Sequence, residues 1–114
     1  MGNCIFCKIA KGEIESEIVW ENEDIAAFRD VNPQAPTHIL LIPKKHIPMI
    51  SKVQPEDQPL LGEMVYAAKT VAEQEELDEQ GYRLVFNNGD FGGQDVYHIH
   101  LHLLGGRPMK WPPG

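Results

Sequence analysis

Three of the five histidines in the sequence fall at alternate positions of Tyr97-His98-Ile99-His100-Leu101-His102-Leu103-Leu104. Side chains alternate between faces along a strand, so His98, His100 and His102 share one face while Ile99, Leu101 and Leu103 share the other. A helix would turn His100 away from its neighbours and scatter the aliphatic set. The spacing therefore predicts a strand with one face on a core and a row of three imidazoles on the other. An ordinary half-buried strand would more often carry Lys, Glu, Thr or Ser on its wet side. An affinity tag is excluded because the run is internal and interleaved with apolar residues. Metal binding and phosphate chemistry are the two chemistries such a row serves.

Other reactive side chains are sparse. Cys4 and Cys7, the only cysteines, sit on a short helix predicted over 3–12, with Asn3 as its N-cap and Gly12 as its stop. Their spacing puts both thiols on one side, open to three readings: a redox pair, half of a tetrahedral zinc site, or two small buried residues. A redox pair usually follows a strand, and none precedes it here. His38 and His46 are ambiguous taken singly. Gly92-Gly93 stands where backbone N–H groups could approach an anion.

These residues need a scaffold. Ile18 to Glu21 and Ile25 to Val31 read as a hairpin through Asn22-Glu23-Asp24. Asn32-Pro33-Gln34-Ala35-Pro36 breaks regular structure, and Thr37 to Pro43 is apolar enough for a strand buried on both faces. One long helix starts near Pro55 or Pro59 and is closed by Gly81. Leu60, Leu61, Met64, Val65, Ala68, Val71 and Ala72 form its core face, and Glu73 to Glu76 its solvated end. Lys44 and Lys45 read as a solvated turn, Tyr82 to Asn87 as a fourth strand, and the histidine strand as the last. This order suggests an α+β fold, an antiparallel sheet with helices to one side. The prolines of 106–114 make an irregular tail, where Trp111 is either a loose end or an anchor on a partner.

A length of 114 residues fits one domain over 1–114. No run approaches the ~20 apolar residues of a membrane span, no signal peptide is visible, and Met1-Gly2 lacks the Ser or Thr that myristoylation wants at position six. A cytoplasmic protein is expected. A net charge of -7 argues against nucleic-acid polymers but leaves room for a small phosphorylated ligand.

The segment His98 to Leu104 resembles the signature of the histidine triad family of nucleotide hydrolases and transferases. Asn3 to Ile9, Asp30 to Pro36, Thr37-His38, Ile42 to His46, Gly92 to Gln94 and Trp111-Pro112-Pro113-Gly114 are similar to its Hint branch, so the likeness spans nearly the whole chain. The resemblance implies a five-stranded antiparallel sheet with one long and one short helix, and a homodimer joining two such sheets. It implies purine nucleoside phosphoramidates as substrates, with His100 as nucleophile on the α-phosphorus. His102 would stabilise the phosphoryl oxygens and His38 would share the proton network. Phe6, Phe28 and Val31 would line the base pocket, although plain core is an equal reading for Phe28 and Val31. Asp30 would hold the ribose, while Asn87 and the backbone at Gly93 and Gln94 would face developing charge. Some members carry zinc at positions matching Cys4, Cys7, His46 and His98. Two departures stand out: Asp95, where many members have serine, and Arg29, often histidine, which would alter nucleoside preference. A metal module using all three triad histidines, or a nucleotide-binding interaction protein, are the rival functions.

Overall fold

The apolar alternation resolves into five strands in a computed structural model describing residues 3–114; the Met1-Gly2 start lies outside the described residues. The strands are β1 (Ile18–Glu21), β2 (Ile25–Arg29), β3 (Thr37–Pro43), β4 (Tyr82–Phe86) and β5 (Leu101–Gly105). They form one sheet in the order β1-β2-β3-β5-β4, every neighbouring pair antiparallel. Helix α1 covers Ile5–Ala10 and α2 Gln58–Gln74. The α+β class, with one short and one long helix, is the one the sequence suggested.

The helices do not lie on one side. Ile25, Ala27, Ile39, Leu41, Leu101 and Leu103 pack under Met64, Ala67, Ala68, Val71 and Ala72 of α2. The alternate strand residues Ala26, Phe28, Leu40 and Ile42 pack with Phe6 of α1. Strand alternation places these sets on opposite faces, so the sheet centre is covered twice. That is why β2 and β3 read as nearly continuous apolar runs.

The histidine strand is shorter than its pattern. Regular pairing begins only at Leu101, opposite Leu41 and Phe86. Residues 97–100 lie outside the ladder; β3 ends at Pro43, which has no N–H to donate. The row is not wet either, since His98 and His100 are buried.

The 3-10 turn Pro55–Asp57 that leads into α2 is held by a capping box, with the Gln54 N–H donating to Asp57 Oδ2 at 3.0 Å, and Lys45 Nζ lies 2.6 Å from buried Asp57. Lys45 is thus a clamp and not only a solvated turn. The helix stops at Gln74, before Gly81, in a Schellman cap: Glu76 has φ 59, its N–H donates to Glu73 O, and the Leu77 N–H donates to Ala72 O. Burying Leu77 after that turn closes the helix. Glu75 is not merely solvated, because it takes a bidentate pair of bonds from Arg29 at 3.0 and 2.9 Å. Val65 lies at the edge of the apolar stripe and is exposed, with Ala67 buried in the core.

Candidate functional site

Two clusters of ligating side chains meet at the histidine segment, and backbone hydrogen bonds assign them different chemistry. In the first, Cys4, which caps α1, and Cys7 on its first turn meet His46 and His98, with all four donor atoms within 4.8 Å of one another. His98 Nδ1 stands 3.4 Å from Cys4 Sγ, 3.5 Å from Cys7 Sγ and 3.2 Å from His46 Nδ1, and Cys7 Sγ is 3.3 Å from His46 Nδ1. Ligands of a tetrahedral zinc at about 2.0–2.3 Å stand about 3.3–3.8 Å apart, so the spacing fits. Pro43 O lies 2.8 Å from His98 Nε2. A carbonyl only accepts, so Nε2 carries the proton and the Nδ1 lone pair faces the thiols, as a metal-ligating histidine requires. Burial, then the neighbouring Cys4, pushes the Cys7 thiol up, so a metal must displace its proton.

The second cluster joins Asp30, His38 and His102. Here the Gln34 N–H donates to His38 Nδ1 at 3.0 Å, which puts the imidazole proton on Nε2. His38 Nε2 lies 2.9 Å from His102 Nδ1 and 3.4 Å from Asp30 Oδ2. The proton between the rings belongs to His38, so neutral His102 carries its own on Nε2. Neutral His38 has no lone pair to offer a metal on that side. The cluster is a directed chain of donors, and the reading in which all three triad histidines ligate one ion fails on it. Burial lowers the His38 pKa, with Asp30 opposing, and burial lowers that of His102 to about 4, helped by His100 and His38.

Between the clusters lies His100, buried and edge-on to Phe6 at 5.0 Å. Its Nδ1 donates to His98 O at 2.8 Å, leaving the lone pair on Nε2, 3.6 Å from Asp95 Oδ1. One residue thus serves both centres: His98 offers its ring to the thiols and its carbonyl to His100.

A cleft of about 400 Å³ opens over this imidazole, lined by Phe6, Phe28, Asp30, Val31, Asp95, His100 and His102 together with Ile5, Ile9, Ile14 and the 15–17 stretch. Phe6 and Phe28 stack edge-to-face at 5.5 Å on its floor. Val31, fully exposed at the rim, is not core. The positive φ and missing Cβ of the glycine segment serve a different end from the one expected. Gly92 N donates to Gly89 O, Gly93 N to Asp90 O and Gln94 N to Gly89 O, so none of these amides is free for an anion. Gln94 is buried, and its side chain bonds Gly89 N, Pro48 O and Val96 O, bracing the loop. Asn87 lines a neighbouring hollow that meets the cleft at His102.

Arg29 borders the cleft, but its guanidinium is bonded to Glu17 and Glu75. Strand parity explains this, since Arg29 shares its face with Ile25 and Ala27, beneath α2. Sequence reasoning missed the Gln34 amide, Ile5, Ile9 and Ser16. Backbone amides leave no trace in residue identity, whereas Ile5 and Ile9 stand four apart, one helical turn, on α1.

The HIT domain family model matches residues 11–109. Purine nucleoside phosphoramidase of Escherichia coli K12 is 53% identical over 105 residues, covering 92% of this chain and 88% of that protein. The 14 kDa zinc-binding protein of Zea mays is 56% identical over 112 residues, covering 96% and 87%. A crystal structure of a HIT family hydrolase from Legionella pneumophila shares 61% identity and a TM-score of 0.96 over 98% of this chain and 100% of that one. A histidine triad protein from Clostridium difficile superposes with a TM-score of 0.94 at 38% identity, covering 96% of both chains.

Proposed function

Because the chain belongs to the histidine triad (HIT) family, and its relatives include purine nucleoside phosphoramidases, we propose that it hydrolyses the P–N bond of purine nucleoside 5′-phosphoramidates. The observation that carries this reading is the lone pair of His100 Nε2, fixed by the Nδ1–H bond to His98 O and opening on the cleft. Neutral imidazole attacks phosphorus without first losing a proton. The bond from phosphorus to the leaving amine breaks as the bond from His100 Nε2 to phosphorus forms, and the amine takes its proton from solvent water at the cleft mouth. The Nδ1–H bond to a carbonyl stabilises the imidazolium character of the resulting nucleotidyl-histidine. Water then attacks phosphorus, releasing the nucleoside monophosphate and restoring His100.

The other roles follow from the donor chain. His102 Nε2–H is buried without a partner, and a phosphoryl oxygen supplies the missing acceptor. His38 and the Gln34 amide fix that proton in place. Phe6, Phe28 and Val31, with Ile5 and Ile9, hold the base; Asp30 binds the ribose hydroxyls. Asn87 reaches the phosphoryl group from the neighbouring hollow. Asp95, a carboxylate beside the nucleophile, accepts hydrogen bonds only and repels the phosphoryl group. Quenched incubation with adenosine 5′-phosphoramidate, read by mass spectrometry, should give a nucleotide adduct on His100. Turnover by wild type that survives in His100→Ala, without any adduct, would overturn the reading.

Cys4, Cys7, His46 and His98 hold zinc in this reading, supported by their donor chemistry and by the zinc-binding relative. The ion is structural and joins the N-terminal helix to the triad segment. Metal analysis of protein purified without chelator should find close to one zinc per chain. The same reading includes a homodimer. Its support is β4, an edge strand unpaired on its outer side, and the exposed Val65 and Tyr66 of α2. Light scattering should give twice the chain mass of 12.9 kDa. Among the described residues no helix is long and apolar enough to cross a membrane.

A further inference from the structure

Among the described residues only two buried side-chain polar atoms have no hydrogen-bond partner, Ser16 Oγ and His102 Nε2, and both residues line the same cleft. An orphaned polar group costs stability in the free protein, about 1–3 kcal/mol by general experience, and persists where a ligand completes it. His102 stands at the phosphoryl end. Ser16 belongs to the 14–17 stretch, which is laid along β2 beside Phe28 by the Arg29 N–H bond to Glu17 O at 3.1 Å. Ile9, Ile14, Phe6 and Phe28 surround that part of the cleft and offer no side-chain hydrogen bond; Glu15 and Glu17 also line it but are exposed, and the Glu17 carboxylate is bonded by Arg29 Nε at 3.0 Å.

We propose that the Ser16 hydroxyl hydrogen-bonds the polar edge of the bound nucleobase and is a specificity-determining residue of the cleft. This rests on the nucleotide reading above. An apolar slot measures the thickness and shape of a ring but cannot tell a purine from an equally flat hydrocarbon. A hydroxyl in that slot can. Because it both donates and accepts, it serves a ring nitrogen or an exocyclic amine equally, which selects heteroaromatic bases as a class without choosing between adenine and guanine.

The test compares adenosine 5′-phosphoramidate with its analogue carrying indole in place of adenine, a ring of the same outline with no polar atom on its free edge. In Ser16→Ala the ratio of kcat/KM for adenosine over indole should fall about three- to tenfold, the worth of one neutral hydrogen bond, with the loss carried in KM. Ser16→Thr, which keeps the hydroxyl, should restore the ratio. Ligand-free Ser16→Ala should melt no lower than wild type, because the hydroxyl it removes bonds nothing there. A ratio unchanged by Ser16→Ala, or an equal loss on both substrates, would overturn the role of Ser16 while leaving the nucleotide reading intact. Failure of wild type to turn over adenosine phosphoramidate at all would overturn both.

Discussion

At the scale of single residues, the site is decided by which ring nitrogen carries a proton. Gln34 N, Pro43 O and His98 O settle that for His38, His98 and His100 respectively. Asp95 is the residue out of keeping with the rest, since its exposed carboxylate stands 3.6 Å from His100 Nε2, where the proposed mechanism brings the phosphoryl group. Two like charges about 5 Å apart in a wet cleft repel by about 1 kcal/mol. Asp95→Ser should therefore raise kcat/KM for a phosphoramidate about fivefold, with the gap between variant and wild type narrowing in 1 M salt as the charge is screened. Steady-state kinetics at two ionic strengths checks both statements; no change would remove Asp95 from the account.

At the scale of elements, the glycine loop before β5 sets the position of Asp95. A Cβ at Gly92 would lie 2.4 Å from Asn88 O and 2.8 Å from Asn88 N, backbone atoms that cannot swing aside. Gly92→Ala should cost about 1–3 kcal/mol, seen as a lower Tm, and should lower turnover as well because the whole loop must shift. Much at this scale was legible in the sequence. β3 announced itself as a continuous apolar run, and the hairpin turn followed from Asn22, whose Oδ1 accepts the N–H groups of Asp24 and Ile25. The shared face of the triad histidines was legible too, through period two. The length of the histidine strand was not, because pairing depends on where β4 stops and on Pro43 in another strand. Arg29 could have been read from parity with Ile25 and Ala27, which outweighs its nearness to Asp30. The direction of the proton chain was invisible, being written in amides and carbonyls that every residue possesses.

At the scale of the whole molecule, the burial of a neutral imidazole ties stability to pH. Burial lowers the pKa of His102 from 6.5 to about 4. Between those values the unfolded chain binds more protons than the folded one, so stability is full above about pH 6.5 and falls as the pH drops toward 4. Thermal melts from pH 7.5 to 4.5 should show Tm declining through that window, and a flat profile would mean that the His102 ring is solvated in the folded chain. One further consequence follows from His98, whose ring serves the thiol cluster while its carbonyl serves His100. The three histidines of the signature are then unequal. The first could be exchanged for another soft donor, since a main-chain oxygen survives any substitution. His98→Cys should bind zinc through three sulfurs and still turn over substrate, whereas the same exchange at position 100 should leave nothing to assay.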